Sequence, residues 1–191
     1  MSTTSLLISM TLFALAQNPT MLERLQEEIK EIYDKESPPS LDTLNKMNWL
    51  SALLKETLRV YNPVGLGTGL KQASRDHKIG DIDIRKGSMV VGTFVHKAFD
   101  SEFFEDAFNY NPQRWLDKPN VSDPYAYTPF WAGPRNCIGQ HLALMESKII
   151  ICEFIKRFDF ELPKDYKPEL GLKKGYGPID NLPMKLTIRN K

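Results

Sequence analysis

The sequence predicts a mainly α fold with a small β-sheet, and three observations predict it. Four stretches read as helices, over residues 5–17, 19–32, 49–61 and from Ile138 onward, the last with apolar residues at Ile138, Leu142, Met145, Ile149 and Cys152. Between residues 70 and 95 the pattern changes to short strands separated by turn residues. Finally, 191 residues with 41% hydrophobic content and no repeat, low-complexity tract or linker suit one core, so residues 1–191 are read as a single domain.

Taken in order, residues 6–16 are largely apolar and end Ala14-Leu15-Ala16, which resembles a signal-peptide cleavage site. No Lys or Arg precedes the run and it is too short to span a bilayer, so the second half of a core helix is the preferred reading. Met1-Ser2-Thr3-Thr4-Ser5 then reads as a chain entered midway. Asn18 is an N-cap candidate and Pro19 suits the first position of the next helix. That helix has Leu22, Leu25, Ile29 and Ile32 on one side and Glu23, Arg24, Glu27, Glu28 and Lys30 on the other. Ser37-Pro38-Pro39 breaks the chain, and Ser40 caps a short helix through Asn45. The helix over 49–61 ends at Asn62-Pro63 and the glycines at 65, 67 and 69. Strands are expected at 70–72, 78–84 and 89–95, with 85–88 as a turn between the last two. A short helix over 99–106 and an irregular meander over 108–129 follow; so long a meander tends to wrap a site. The tail returns to strand at Met184, Leu186 and Ile188, preceded by a turn at 175–178.

A net charge of +1 gives no electrostatic reason to expect a nucleic-acid partner. The two cysteines, Cys137 and Cys152, lie fifteen apart on or beside one helix, which cannot bring them together. Free thiols and a reducing, intracellular compartment follow. Without a Cys-x-x-Cys or a clustered histidine pair, a zinc site is not expected.

Phe130-Trp131-Ala132-Gly133-Pro134-Arg135-Asn136-Cys137-Ile138-Gly139 places a cysteine in a glycine- and proline-bent loop directly before a helix. Unpaired N–H groups and the helix dipole there favour thiolate, the form that ligates metals and attacks electrophiles. Gly133 and Gly139 permit close backbone approach to a large flat group, and Arg135 sets a fixed cation two residues from the sulfur. Three readings stand for Cys137: a packed small hydrophobe, a nucleophile with His96 or His141 as base, and a single thiolate ligand to haem iron.

The pattern Phe-x-x-Gly-x-Arg-x-Cys-x-Gly resembles the haem-binding loop of the cytochrome P-450 monooxygenases, with all five fixed positions present. Lys55-Glu56-Thr57-Leu58-Arg59 is similar to the family's Glu-x-x-Arg signature, although alone it would read as an exposed intrahelical pair. Phe108 to Trp115 resembles the meander segment whose arginine joins that pair, which makes Arg114 the third structural member. Ser2-Thr3-Thr4-Ser5 resembles the end of the distal helix, with Thr3 at the oxygen-activating threonine and Ser2 where an acid is usual. The resemblance also implies haem contacts for Phe130 and Gly139, propionate contacts for Arg135 and Lys71, and a core or propionate-side place for His96.

The four motifs occur in the family's order and imply the C-terminal portion of the cytochrome P-450 fold. They imply haem (iron protoporphyrin IX) held by Cys137, with one oxygen atom of O2 inserted into a small apolar organic substrate. Electrons would come from an NADPH-dependent flavoprotein reductase or another donor, since the chain has no nucleotide-binding glycine fingerprint. Endoplasmic reticulum association is implied as well, with no anchor expected in this chain. The competing expectation is a truncated, inactive fragment of the same fold.

Overall fold

The stretch Ser2–Gln17 contains no charged residue, so burial on several sides costs it nothing, and it forms the central helix α1. Leu7, Met10, Leu12, Phe13, Ala14 and Leu15 are buried along it. The buried hydroxyl of Thr11 donates to Leu7 O at 2.8 Å and lies 3.1 Å from Thr57 Oγ1, which satisfies both side chains inside the core. The structure is a computed structural model that describes residues 2–35, 39–64, 68–93, 95–172 and 176–189. Parts of the expected break at 37–39, of the glycine-rich stretch at 65–69, of the strand at 89–95 and of the turn at 175–178 lie outside those residues.

Asn18 does not cap the next helix through its side chain. Its Nδ2 instead donates back to Ala14 O at 2.7 Å and closes α1, while Pro19 opens α2 (Pro19–Glu31) as expected. Leu25 and Ile29 of α2 face the core. Ser40 Oγ accepts from Thr43 N at 3.2 Å and caps α3 (Leu41–Lys46). Helix α4 (Asn48–Val60) has no cap of its own; Glu28 of α2 supplies one. Its two carboxylate oxygens accept from Trp49 N at 2.7 Å and Leu50 N at 2.9 Å, an anion set on a helix N-terminus.

Among the described residues, four two-stranded antiparallel sheets replace the single small sheet expected. β1 (Thr68–Gln72) pairs with β4 (Met89–Thr93), Leu70 opposite Val91. Between them the run expected as one strand over 78–84 is a hairpin of β2 (His77–Ile79) and β3 (Ile82–Ile84). Gly80, at φ +56°, reverses the chain there, a conformation glycine adopts without steric cost. The 85–88 turn therefore leads from β3 to β4 without pairing them. α5 (Val95–Ala98) precedes turns where a helix over 99–106 was expected, and α6 (Arg114–Asp117) lies in the meander.

Helix α7 (Gln140–Arg157) packs on α1 and α4, and Ser147, Ile151, Cys152 and Ile155 are buried along it. The stripe expected from Ile138 is corrected at its start: Ile138 precedes the helix and is fully exposed, and Leu142 is more than half exposed. β5 (Phe158–Glu161) pairs with β8 (Lys185–Ile188), which supplies the tail strand with a partner the alternation could not reveal. β6 (Leu170–Leu172) pairs with β7 (Tyr176–Pro178), so residues expected to turn are extended. Among the described residues no single helix is long and apolar enough to cross a membrane.

Candidate functional site: a cysteine loop over an apolar cavity

Two elements position the site, the end of α4 and the loop that leads into α7. The loop is closed by its own backbone: Trp131 N donates to Thr128 O at 2.9 Å, Asn136 N to Gly133 O at 3.2 Å, and Cys137 N to Phe130 O at 2.9 Å. Gly133 turns the chain at φ +80°. Asn62, buried just beyond α4, donates through Nδ2 toward Pro129 O at 3.4 Å and accepts from Val64 N at 2.9 Å, which ties the helix end to the loop.

Beneath this loop lies a cavity of about 550 Å³. Thr3, Phe130, Arg135, Cys137 and Gly139, all singled out by sequence, line it together, with Leu7, Leu58, Val64 and Leu142 among the apolar walls. The expected helix start is displaced: Gly139 is the N-cap of α7, so Cys137 lies two residues before it. A Cβ on Gly139 would stand 4.0 Å from Cys137 Sγ, ordinary contact that leaves the thiol side of the loop uncrowded. Both cysteines are free thiols; Cys137 is exposed to the cavity and solvent, Cys152 is buried. Burial pushes the Cys152 thiol well above its ordinary pKa, and its Sγ lies 3.8 Å from Met47 Sδ.

Lys71 is not among the lining residues. It is exposed on β1, its Nζ 5.0 Å from the centre of the Trp131 ring. His96 is exposed on α5, and His141 lines a separate groove between α3, α4 and α7, so neither histidine shares the cavity with Cys137.

The charged pair of α4 is not the exposed pair that its spacing alone suggests. Arg59 Nε and Nη2 donate to the two carboxylate oxygens of Glu56 at 2.9 and 2.8 Å, with neither side chain exposed. The remaining guanidinium donors reach main-chain carbonyls from the end of α5 to the start of the meander: Nη1 to Ala98 O at 2.7 Å and Ala107 O at 2.6 Å, Nη2 to Asn109 O at 3.1 Å. Arg114 Nε adds a bond to Glu56 Oε1 at 3.2 Å, so the three residues named from sequence do meet. Trp115 Nε1 and Asn111 N, which sequence reading did not single out, complete the carboxylate at 2.9 and 2.8 Å. Trp115 adjoins Arg114, and its indole N–H, which needs a partner when buried, was the available signal. Tyr127 joins them, its ring centre 4.5 Å from that of Trp115 and its hydroxyl donating to Lys55 O at 3.0 Å.

The sequence matches the family described as Cytochrome P450 over residues 1–184. The chain belongs to the cytochrome P450 family. It is 40% identical over 166 residues to a cytokinin hydroxylase of Arabidopsis thaliana, covering 86% of this chain and 32% of that one. It is 35% identical over 170 residues to human cytochrome P450 3A5, covering 89% and 34% respectively. Against mouse cytochrome P450 3A16 the identity is 35% over 191 residues, with 98% and 38% covered. The chain thus spans about a third of the length of these curated relatives. At the level of the cytochrome P450 family the chemistry is that of haem-dependent monooxygenases, oxidoreductases that use O2, an organic substrate and a redox partner.

Proposed function

We propose that this chain is the C-terminal, haem-side portion of a haem-thiolate monooxygenase that inserts one oxygen atom of O2 into a small apolar organic substrate. The observation that carries the reading is the convergence of Cys137, Arg135, Phe130, Gly139 and Thr3 on one largely apolar cavity. That donor set fits haem: one accessible thiol that could hold the iron, one guanidinium for a propionate, and apolar walls for a flat macrocycle. Cys137 Sγ would hold the iron, Arg135 a propionate, and Phe130 and Gly139 the ring. Bound there, haem supplies O2 activation and oxygen insertion.

The chain's own groups prepare that chemistry. Cys137 must be in its thiolate form to ligate, and the Phe130 carbonyl fixes its backbone N–H and so its place in the loop. Leu7 and Leu58 give the cavity apolar walls against which a flat apolar ring packs. Thr3, in the first turn of α1, holds or passes a proton at its Oγ1. Lys71 serves a propionate less directly than Arg135, since its ammonium sits over Trp131. Glu56, Arg59 and Arg114 act structurally by keeping the meander on α4. Electrons come from an NADPH-dependent flavoprotein reductase or a similar donor, and the family resemblance favours the endoplasmic reticulum membrane as the place of work.

The test is the reduced, carbon-monoxide-bound difference spectrum of the chain expressed with haem precursor. A strongly red-shifted Soret band is expected. Haem uptake without that shift, or loss of the band in Cys152→Ser as complete as in Cys137→Ser, counts against thiolate ligation by Cys137.

A second reading is a fragment of this fold without turnover, and one observation favours it. Ile138, Leu142 and Ile150 expose large apolar surface along and before α7. A chain that shows the red-shifted band but oxidises no substrate with any reductase supports this second reading. His96 and His141 lie away from the cavity, which leaves the nucleophile reading without the histidine base it named.

A further inference from the structure

Five described non-glycine residues adopt the left-handed backbone: Asp106, Trp131, Asp165, Asn181 and Leu182. Three are Asp or Asn, which tolerate it through local hydrogen bonding, and Leu182 follows a turn, its N–H donating to Asp180 Oδ1 at 3.4 Å. Trp131 stands apart. It is the bulkiest side chain of the five, at φ +67°, and it lines the cavity between Phe130 and Arg135. A bulky residue held in so sparsely populated a conformation persists where surrounding contacts over-determine it, and such residues cluster at functional sites. The contacts are visible. Its N–H donates to Thr128 O at 2.9 Å, the preceding carbonyl takes the Cys137 N–H, and the Lys71 ammonium sits 5.0 Å from its ring centre. Lys71 comes from β1, so the cation–π pair joins the β1–β4 sheet to the cysteine loop.

We propose that Trp131 is a positioning residue of the cofactor cavity: its indole, held in the left-handed turn and backed by Lys71, is a fixed aromatic wall on which a planar tetrapyrrole packs. The proposal rests on the haem-thiolate reading for its ligand and goes beyond it in adding Trp131 to Phe130 and Gly139 as a residue that recognises the ring. A regular backbone at position 131 would send the side chain elsewhere, so the strain has a use: it orients the indole. The ammonium over the ring then holds the indole from the side of the sheet.

The test uses metal-free protoporphyrin IX, which offers no iron for Cys137, so its uptake reads the wall apart from thiolate ligation. Uptake is followed by quenching of tryptophan fluorescence in the wild-type chain, and by porphyrin fluorescence in all variants. Trp131→Phe should keep affinity within about threefold while removing much of the quenching, because the aromatic face remains. Trp131→Gly should weaken uptake about tenfold or more, although glycine suits the backbone conformation better. Lys71→Met, which leaves the loop sequence intact, should weaken it about two- to fivefold, the worth of one such cation–π contact, and by as much for protoporphyrin IX dimethyl ester, which has no propionate charge for Lys71 to meet. Circular dichroism of each variant checks that it folds. Equal affinity of wild type, Trp131→Gly and Lys71→Met, or no uptake by wild type, overturns the assignment. Hemin binding without the red-shifted band, while porphyrin still separates wild type from Trp131→Gly, overturns the thiolate reading and leaves Trp131 standing.

Discussion

Arg59 reaches both carboxylate oxygens of Glu56 from one turn along the same helix, at 2.8 and 2.9 Å, with neither side chain open to water. A surface pair at this spacing contributes a few tenths of a kcal/mol. Here every remaining donor of the guanidinium is committed to a main-chain carbonyl between Ala98 and Asn109, so the pair acts as a bracket between a helix and the chain that leads into the meander.

Removing one partner leaves the other charged and buried. Glu56→Gln and Arg59→Met are each expected to destabilise the chain by about 3–5 kcal/mol, read as a drop in the urea unfolding midpoint. Arg59→Lys should recover little, because an ammonium cannot span the carboxylate and three carbonyls at once. A lysine variant as stable as wild type would show that charge alone matters.

The two thiols should separate sharply in reactivity. A thiol reagent should modify Cys137 in the native chain within the mixing time of an ordinary assay, since it is exposed. Cys152 should react only on unfolding, being buried and held in its thiol form. Two equivalents modified quickly in native buffer would contradict this packing of α7.

Glu28 carries a pH signature. Burial raises its carboxyl above the usual glutamate value, opposed by the Trp49 and Leu50 N–H bonds and by Lys148 and Arg24. The folded chain therefore binds a proton more tightly than the unfolded one. Stability from this group is fully present below about pH 4.5 and is lost as pH rises through the raised folded value. Glu28→Gln should flatten that decline in unfolding measurements made as pH rises above about 4.5. A variant with an unchanged slope would place the titration elsewhere.

Gly133 makes the bend of the cysteine loop at φ +80°, and a methyl group added at its Cα would meet nothing within 4 Å. Gly133→Ala should thus cost only the backbone term, roughly 1–2 kcal/mol. Gly133→Asn should cost less, because asparagine enters this region more readily. Calorimetric unfolding of the pair checks the order.

Much of this was legible in the chain itself, where the signal is local. Pro19 starts α2, Ser40 caps α3, and α4 ends before Asn62-Pro63, because turn and cap chemistry act within a few residues. The cavity residues of the cysteine loop itself were legible because the motif holds them close in sequence, whereas Thr3, which joins them from α1, was named by the family resemblance alone. The burial of Glu56 and Arg59 was not legible from their own spacing. It depends on carbonyls at 98, 107 and 109, some forty to fifty residues away. The hairpin hidden in 78–84 was missed because one glycine, Gly80, breaks a run whose composition otherwise reads as a single strand. The apolar start expected for α7 is a helical stripe in sequence with its first members facing solvent, since periodicity reports a face and not what covers it.

The bracket on α4 also divides the information that specifies this region. Ala98, Ala107 and Asn109 offer Arg59 only their main-chain oxygens, which every amino acid possesses. The path of the chain from Ala98 to Asn109 past α4 is therefore written in the side chains of Glu56 and Arg59 and in the lengths of chain between the three carbonyls, more than in the letters at those positions. A saturation library should find positions 98 and 107 limited by size and 109 permissive, positions 56 and 59 closed to nearly everything, and a single-residue deletion between 99 and 106 as damaging as losing the arginine.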